Sequence, residues 1–325
     1  MSTRHRYRIA NLVLSSNILL PELRQTNGTQ AQCSFELVTS ADFTNHGVEW
    51  FHQWSIPLDD EIGKKKQPWL QLGHRYGGYC LRFPSMAEFI VSRDLSRIQC
   101  CPTPNIPEVT VRHLLLDQVI PLVLSRTEQI VLHASGVLTE FGTLAFVGKT
   151  GEGKSTLAAS FARSGCPMLS DDCLVLRFER QCWTAIASYP GVRLWSSTLD
   201  ALLLRDTPTH DMAHYTGKRR VNDNEIVPIV SGPAPLTGLF LLSSGDAEPS
   251  ITRLRPASAT IALIAYALNL DITDSAFLRQ QFEAISDLAD KVPMFELRYP
   301  REFATLGLVR QAILKQLKET YPDSL

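Results

Sequence analysis

Gly148-Lys-Thr-Gly-Glu-Gly-Lys-Ser155 decides how the rest of the chain is read. Ahead of it, Thr143-Leu-Ala-Phe-Val147 is an apolar run of strand length. Behind it, Thr156-Leu-Ala-Ala-Ser-Phe-Ala-Arg163 collects good helix formers, with Leu157, Ala158, Phe161 and Ala162 on one face and Gly165 as the stop. Strand, glycine loop, helix is the setting in which this spacing works as a phosphate-binding P-loop. The reason is electrostatic: loop N–H groups and the positive end of the helix converge on an anion. Lys154 adds a point charge and Ser155 a hydroxyl for Mg²⁺. Gly148, Lys149, Thr150, Gly151, Glu152, Gly153, Lys154 and Ser155, with Thr156 directly after them, are therefore the expected contacts to a nucleoside triphosphate.

Composition narrows the classes that remain. At 325 residues the chain can hold two domains or one large one. Hydrophobic residues at 44% and charged residues at 20% describe a globular chain and exclude a disordered one. A net charge of −1 supplies no basic field, so no nucleic-acid partner is expected. No apolar stretch is long enough for a membrane span, and the basic start, Met1 to Arg8, is not followed by the apolar core of a secretory signal. No membrane partner and a cytoplasmic location are the expectations. The seven cysteines form no Cys-x-x-Cys set and read as reduced, mostly buried small hydrophobes. The histidines have no metal-ligand spacing, so no structural metal is expected.

Along the chain, residues 1–107 read as a β-rich N-terminal domain that would scaffold or hold an acceptor. Short apolar runs at Tyr7–Leu14, Cys33–Val38, Gly78–Phe83 and Glu88–Val91 are separated by Pro, Gly and polar turns. The charged stretch between Pro57 and Pro68, with Lys64-Lys-Lys66, reads as a solvated loop. Cys101-Pro-Thr-Pro-Asn-Ile-Pro107 is the boundary candidate, and residues 108–325 form an α/β P-loop domain. In it, Val111–Ile120 reads as a helix and Gln129–Leu138 as a strand pair. Strands are expected at Leu174–Phe178, Gly238–Leu242 and Met294–Arg298. Helices are expected at Ala257–Leu270, Ala276–Lys291 and Glu302–Lys318, the first and last following prolines. Asp206–Asn224, polar and carrying Lys218-Arg-Arg220, reads as a mobile loop near the site.

A P-loop that transfers phosphoryl groups also needs a carboxylate for the metal and a group to receive a proton. Ser170-Asp-Asp172 follows the P-loop helix and precedes the apolar run Cys173-Leu-Val-Leu176. Two adjacent carboxylates at a strand start can divide that labour, and their repulsion raises the pKa of one.

Leu132-His-Ala-Ser-Gly-Val137, the P-loop and Leu169-Ser-Asp-Asp172, in that order, resemble the C-terminal catalytic domain of the HPr kinase/phosphorylase family. The resemblance implies the fold shared with phosphoenolpyruvate carboxykinase and covers residues from about 130 to 180, more loosely to the C-terminus. It implies His133 near the transferred phosphate, Lys154 on the phosphates and Ser155 on the metal. It also implies Asp171 as proton acceptor from the hydroxyl and Asp172 on the metal side. Thr156 stands where the family has Glu, and Ser188-Tyr-Pro-Gly-Val-Arg-Leu-Trp195 carries no acid where the family has a metal carboxylate. These departures point away from the phosphorylase reaction and from HPr as acceptor. The chain is more similar to the related kinases of peptide-modification clusters, including those acting on the C-terminal serine of lasso-peptide precursors. Relatives are often oligomers, so a homo-oligomer is one arrangement the resemblance implies.

Added cations near the γ-phosphate would stabilise charge in the transition state, with Arg193 and Lys218 the first candidates. Arg298 and Arg301, flanking a strand end, read as structural. The expected reaction is transfer of the γ-phosphoryl of ATP, with Mg²⁺, to a Ser or Thr hydroxyl of a peptide or small protein. A small-molecule kinase and a nucleotide-binding regulator without turnover are the alternatives.

Overall fold

The computed structural model describes residues 1–325 apart from 1–3, 28–29, 40–46, 57–66, 128–129, 204–205, 223–224, 231, 246–247 and 323–325. The lysine triplet at 64–66 lies outside the described residues. The chain divides by contacts into two units, one of residues 1–123 with 213–215 and 270–273, the other of 124–212, 216–269 and 274–325.

The first unit is built on strands β1 (His5–Ile9), β2 (Leu12–Ser16), β3 (Arg24–Gln25), β4 (Cys33–Leu37), β5 (Glu49–Ile56), β6 (Gln67–Arg75), β7 (Gly78–Phe83), β8 (Ala87–Val91) and β9 (Arg97–Pro102). They form one sheet in the order β3-β1-β2-β4-β9-β8-β7-β6-β5. The run Tyr7–Leu14 is a hairpin rather than one strand. Its turn is at Ala10, in the left-handed region at φ 51°. Strands β5 to β8 form an antiparallel meander completed by β9, whereas β4 runs parallel to both of its neighbours. Period-two alternation sends Phe83, Phe89, Val91, Ile98 and Cys100 into the core.

The proline-rich break falls between β9 and a helical run: α1 (Glu108–Leu114), a π-helical stretch Leu115–Val119, and α2 (Ile120–Ser125). This run is longer than the expected helix at both ends. The contact division comes after residue 123, past the expected boundary at 107/108. The Arg112–Glu22 ion pair, 2.9 Å, ties the run to the first unit.

The second unit contains β10 (Ile130–Leu132), β11 (Ala134–Thr139), β12 (Gly142–Val147), α3 (Lys154–Arg163), β13 (Met168–Ser170), β14 (Leu174–Glu179), β15 (Cys182–Ala187), β16 (Val192–Leu194) and α4 (Ser196–Leu202). Then come β17 (His210–Asp211), β18 (Arg219–Val221), β19 (Pro233–Ser244), β20 (Ser250–Arg253), α5 (Pro256–Ile264), α6 (Ser275–Lys291), β21 (Met294–Tyr299) and α7 (Leu306–Thr320). The main sheet runs β10-β14-β15-β19-β12-β11-β13, with β21 beside β19 and β20 beside β21. Its centre, β12-β19-β21, is parallel. Alternation along β12 feeds two cores. Leu144 and Phe146 pack in a cluster with Leu157 and Phe161 of α3 and Val309 and Ile313 of α7. Ala145 and Val147 pack in another with Leu263 of α5 and Ile285 and Leu288 of α6. A sheet with helices on both faces buries its parallel strands completely, which is why the strand ahead of the P-loop reads as a continuous apolar run. Mixed α/β architecture is thus observed.

Two expectations need correction. The polar segment 206–224 is not simply a loop, because β18 pairs with both β16 and β17 in a small sheet that holds Arg219 to Val221. The helix expected to reach Leu270 stops at Ile264, because Ala267 bridges to Leu132 and Leu268 N–H bonds the Val131 carbonyl at 2.8 Å. The seven cysteines are free thiols, and burial pushes those of Cys33 and Cys80 up to about 12. Among the described residues, no helix is long and apolar enough to cross a membrane.

Candidate active site

The P-loop leaves β12 at Gly148 and enters α3 at Lys154. Gly151 and Gly153 both occupy the left-handed region, at φ 87° and 88°, where a side chain is disfavoured. At Gly153 a Cβ would also approach the Tyr299 hydroxyl to 2.8 Å. Lys154 is buried, and its ammonium donates to the carbonyls of Gly148 at 2.8 Å and Lys149 at 3.2 Å. Burial lowers the pKa of this ammonium, opposed by the nearby charges of Asp172 and Asp171.

The outside of the loop is braced by its own acid and by the end of β21. The Glu152 carboxylate accepts the Lys149 N–H at 2.6 Å. Arg301 donates to the Gly151 carbonyl at 3.0 Å, and the Tyr299 hydroxyl donates to the Glu152 carbonyl at 3.3 Å. Arg301 has the structural place expected of it, while Arg298 faces outward with 60% side-chain exposure. Glu152, expected among the phosphate contacts, directs its carboxylate to this brace.

The acidic pair occupies the connection from β13 to β14, and its members face opposite ways. Asp171 is 1% exposed. Its Oδ1 accepts from the Ser135 hydroxyl at 2.6 Å and its Oδ2 from the Arg193 N–H at 2.9 Å. Desolvation and the charge of Asp172 raise its pKa. Asp172 adopts the left-handed φ of 61°, which turns its side chain away from its neighbour and into a cleft. There its Oδ2 accepts from Arg193 Nη1 at 3.1 Å, and its Oδ1 lies 3.8 Å from His133 Nε2. Burial alone would raise this carboxyl, but Arg193, His133, Lys218 and Lys154 together hold it well below the usual carboxylate range.

His133, Thr150, Gly151, Gly153, Lys154, Ser155, Thr156, Asp172, Arg193 and Lys218 line one cleft of about 580 Å³, open mouth included. The structure therefore brings together most of the residues singled out in the sequence. Gly148, Lys149 and Glu152 do not line the cleft, and neither does Asp171. Asp171 was expected to receive the proton, yet both of its oxygens are engaged inside the protein.

Sequence reasoning passed over Ser135, Tyr189 and Trp195. Ser135 orients Asp171. Tyr189 is buried with its hydroxyl on Arg193 Nη2, and the guanidinium carbon lies 5.0 Å from its ring centre. Trp195 lines the cleft. All three fall within stretches that the motif comparison had isolated, and residue type alone did not mark them.

No cluster of three or more His, Cys, Asp or Glu is placed to hold a metal among the described residues. The cleft offers the Ser155 hydroxyl and the Asp172 carboxylate. Two hard oxygen donors fit Mg²⁺, which fills its other positions with water and substrate phosphate oxygens.

No family model matches the chain, and no curated protein matches it. Among solved structures it overlaps the Hpr(Ser) kinase/phosphatase from Coxiella burnetii, at 13% identity and a TM-score of 0.32, over 60% of this chain and 95% of that one. Overlap at that score does not carry a fold or a chemistry, so the functional reading stands on the cleft and its residues.

Proposed function

We propose that the chain is a phosphotransferase that moves the γ-phosphoryl group of ATP, with Mg²⁺, to a serine or threonine hydroxyl of a peptide or small protein. One observation carries the reading: a P-loop lysine and a cleft-facing carboxylate, Asp172, share one cleft with Arg193 and Lys218. Loop amides and Lys154 suit the β- and γ-phosphates, and Ser155 with Asp172 would hold the ion. Held there by Ser155 and Asp172, Mg²⁺ would supply positive charge against the negative charge that develops on the phosphates.

The chain's own groups supply positioning and electrostatics, which are most of what phosphoryl transfer requires. Asp172, held ionised by its cationic neighbours, accepts a hydrogen bond from the incoming hydroxyl and aims its oxygen at phosphorus. The oxygen–phosphorus bond forms, the bond to the β,γ-bridging oxygen breaks, and ADP departs with that electron pair. The hydroxyl proton, acidified as the new bond forms, passes to Asp172 with His133 beside it. Arg193 and Lys218 stabilise the charge on the transferring group. Asp171 acts through Arg193, as a positioning residue. The C-terminal serine of a lasso-peptide-type precursor is the preferred acceptor, on the sequence resemblance alone.

Incubation with γ-labelled ATP, Mg²⁺ and separate peptide and metabolite acceptors tests the proposal. Label on a peptide hydroxyl is the expected result. Label on a small molecule, or ATP binding without turnover across the acceptors, would contradict it.

A further inference from the structure

We infer that Trp195 is a stacking platform for the purine base of the nucleotide, a reading that rests on the proposed binding of a nucleoside triphosphate in the cleft. Trp195 is 51% exposed, although Val192 and Leu194 just before it are buried at 0% and 1%. A wide apolar ring is thus presented at the rim of a cleft otherwise lined mainly by polar and charged groups.

The ring is mounted rather than loose. The Trp195 carbonyl accepts the N–H groups of Thr198 and Leu199, at 2.9 and 3.0 Å, where α4 begins. Gly217 lies against the indole, since a Cβ on it would sit 3.5 Å from Trp195 Cζ3. Direction follows from the backbone. Trp195 continues the extended path of β16 at φ −71° and ψ 154°, so residues two apart share a side. Arg193 and Trp195 therefore both face the cleft, the first on Asp172 and the second farther along.

The order of groups along the cleft says which part of a nucleotide meets the ring. Lys154, the residue that reaches the β- and γ-phosphates in a P-loop, is close to the charge of Asp172. Thr156 follows Ser155 into the helix, toward the α-phosphate. Its hydroxyl is 3.3 Å from that of Thr198 in α4. The helix that Trp195 opens thus flanks the α-phosphate end, where sugar and base leave the loop. Lys218 Nζ lies 5.8 Å from the indole centre, so a base laid on the ring is also near a cation. Among the described residues, neither Asn nor Gln lines the cleft to read a base edge. Recognition through stacking area favours purines over pyrimidines and does not separate adenine sharply from guanine.

Calorimetry on the full chain, in Mg²⁺, with ATP, GTP, CTP and inorganic tripolyphosphate tests this without any acceptor. Trp195→Ala is expected to weaken ATP about 5- to 150-fold, the range that base–aromatic stacking covers, while leaving tripolyphosphate within about twofold. Trp195→Phe should retain part of the difference, and in the wild type GTP should bind like ATP and CTP more weakly. Equal weakening of ATP and tripolyphosphate, or unchanged ATP affinity in Trp195→Ala, would overturn the inference while leaving the phosphate site standing. A wild-type chain that binds neither ATP nor tripolyphosphate would overturn the nucleotide reading itself.

Discussion

Replacing Asp171 separates a buried anchor from a residue that meets substrate. Asp171→Ala would strand two buried donors, the Ser135 hydroxyl and the Arg193 N–H, both engaged now at 2.6 and 2.9 Å. A buried polar group left without a partner costs about 1–3 kcal/mol, so the pair amounts to about 2–6 kcal/mol, a large part of the roughly 5–15 kcal/mol that holds a domain. Asp171→Asn keeps the shape. Its amide oxygen can accept from Arg193 and its NH₂ can donate to the Ser135 hydroxyl, which becomes the acceptor, so both contacts are kept. Urea unfolding should therefore show a large fall in midpoint for the alanine variant at unchanged slope, and a small one for the asparagine variant. The asparagine variant should also keep nucleotide affinity and turnover near wild type. An Asp171→Asn protein with the wild-type midpoint and ATP affinity, but with transfer reduced 100-fold or more as loss of a general base would give, would refute the anchor role. It would return Asp171 to the reacting atoms.

Three further predictions follow from the same geometry. Arg301→Ala removes the donor to the Gly151 carbonyl, at 3.0 Å, and should raise the ATP KM several-fold with kcat little changed; an unaltered KM in steady-state kinetics would show that the brace does not shape the loop. Gly153→Ala forces a side chain into φ 88° and against Tyr299, and should cost at least about 1–2 kcal/mol in urea unfolding and weaken ATP binding; a wild-type midpoint would contradict the strained turn. The folded-state pKa of Asp172 lies below that of the unfolded chain, so in that window the unfolded state binds more protons and stability rises with pH. Its contribution is complete above the ordinary carboxylate value of about 4 and is lost only as pH falls below it. Unfolding midpoints measured against pH should show a steeper acid limb in wild type than in Asp172→Asn, and equal limbs would remove the ion-pair account.

The local parts of this site were legible because their chemistry is encoded in short spacing. The apolar strand, the glycines and Lys154-Ser155 can serve one purpose in that order, and the sequence order also brings His133, the loop and one of the two acids, Asp172, to one cleft. What could not be read was direction. Adjacent residues in a turn face wherever the backbone sends them. The left-handed φ of Asp172 makes it, rather than Asp171, the cleft carboxylate, and no periodicity announces that angle. Burial of charged residues was equally hidden. Segment 206–224 reads as exposed polar chain, yet its strand β18 pairs with β17 and with β16, which leaves Arg193 and Arg220 at 2% and 4% exposure. The shortened α5 has the same origin, since its helical propensity yields to the pairing of Ala267 and Leu268 with β10. Tertiary hydrogen bonds overrode local preference in both places.

Asp172→Asn puts the central claim to its most direct test. The substitution keeps shape and removes the charge that faces the P-loop lysine across the cleft. With γ-labelled ATP, Mg²⁺ and an accepted peptide, transfer should fall about 10²- to 10⁴-fold while ATP affinity by calorimetry stays within about tenfold. A variant that transfers label at the wild-type rate would contradict the account.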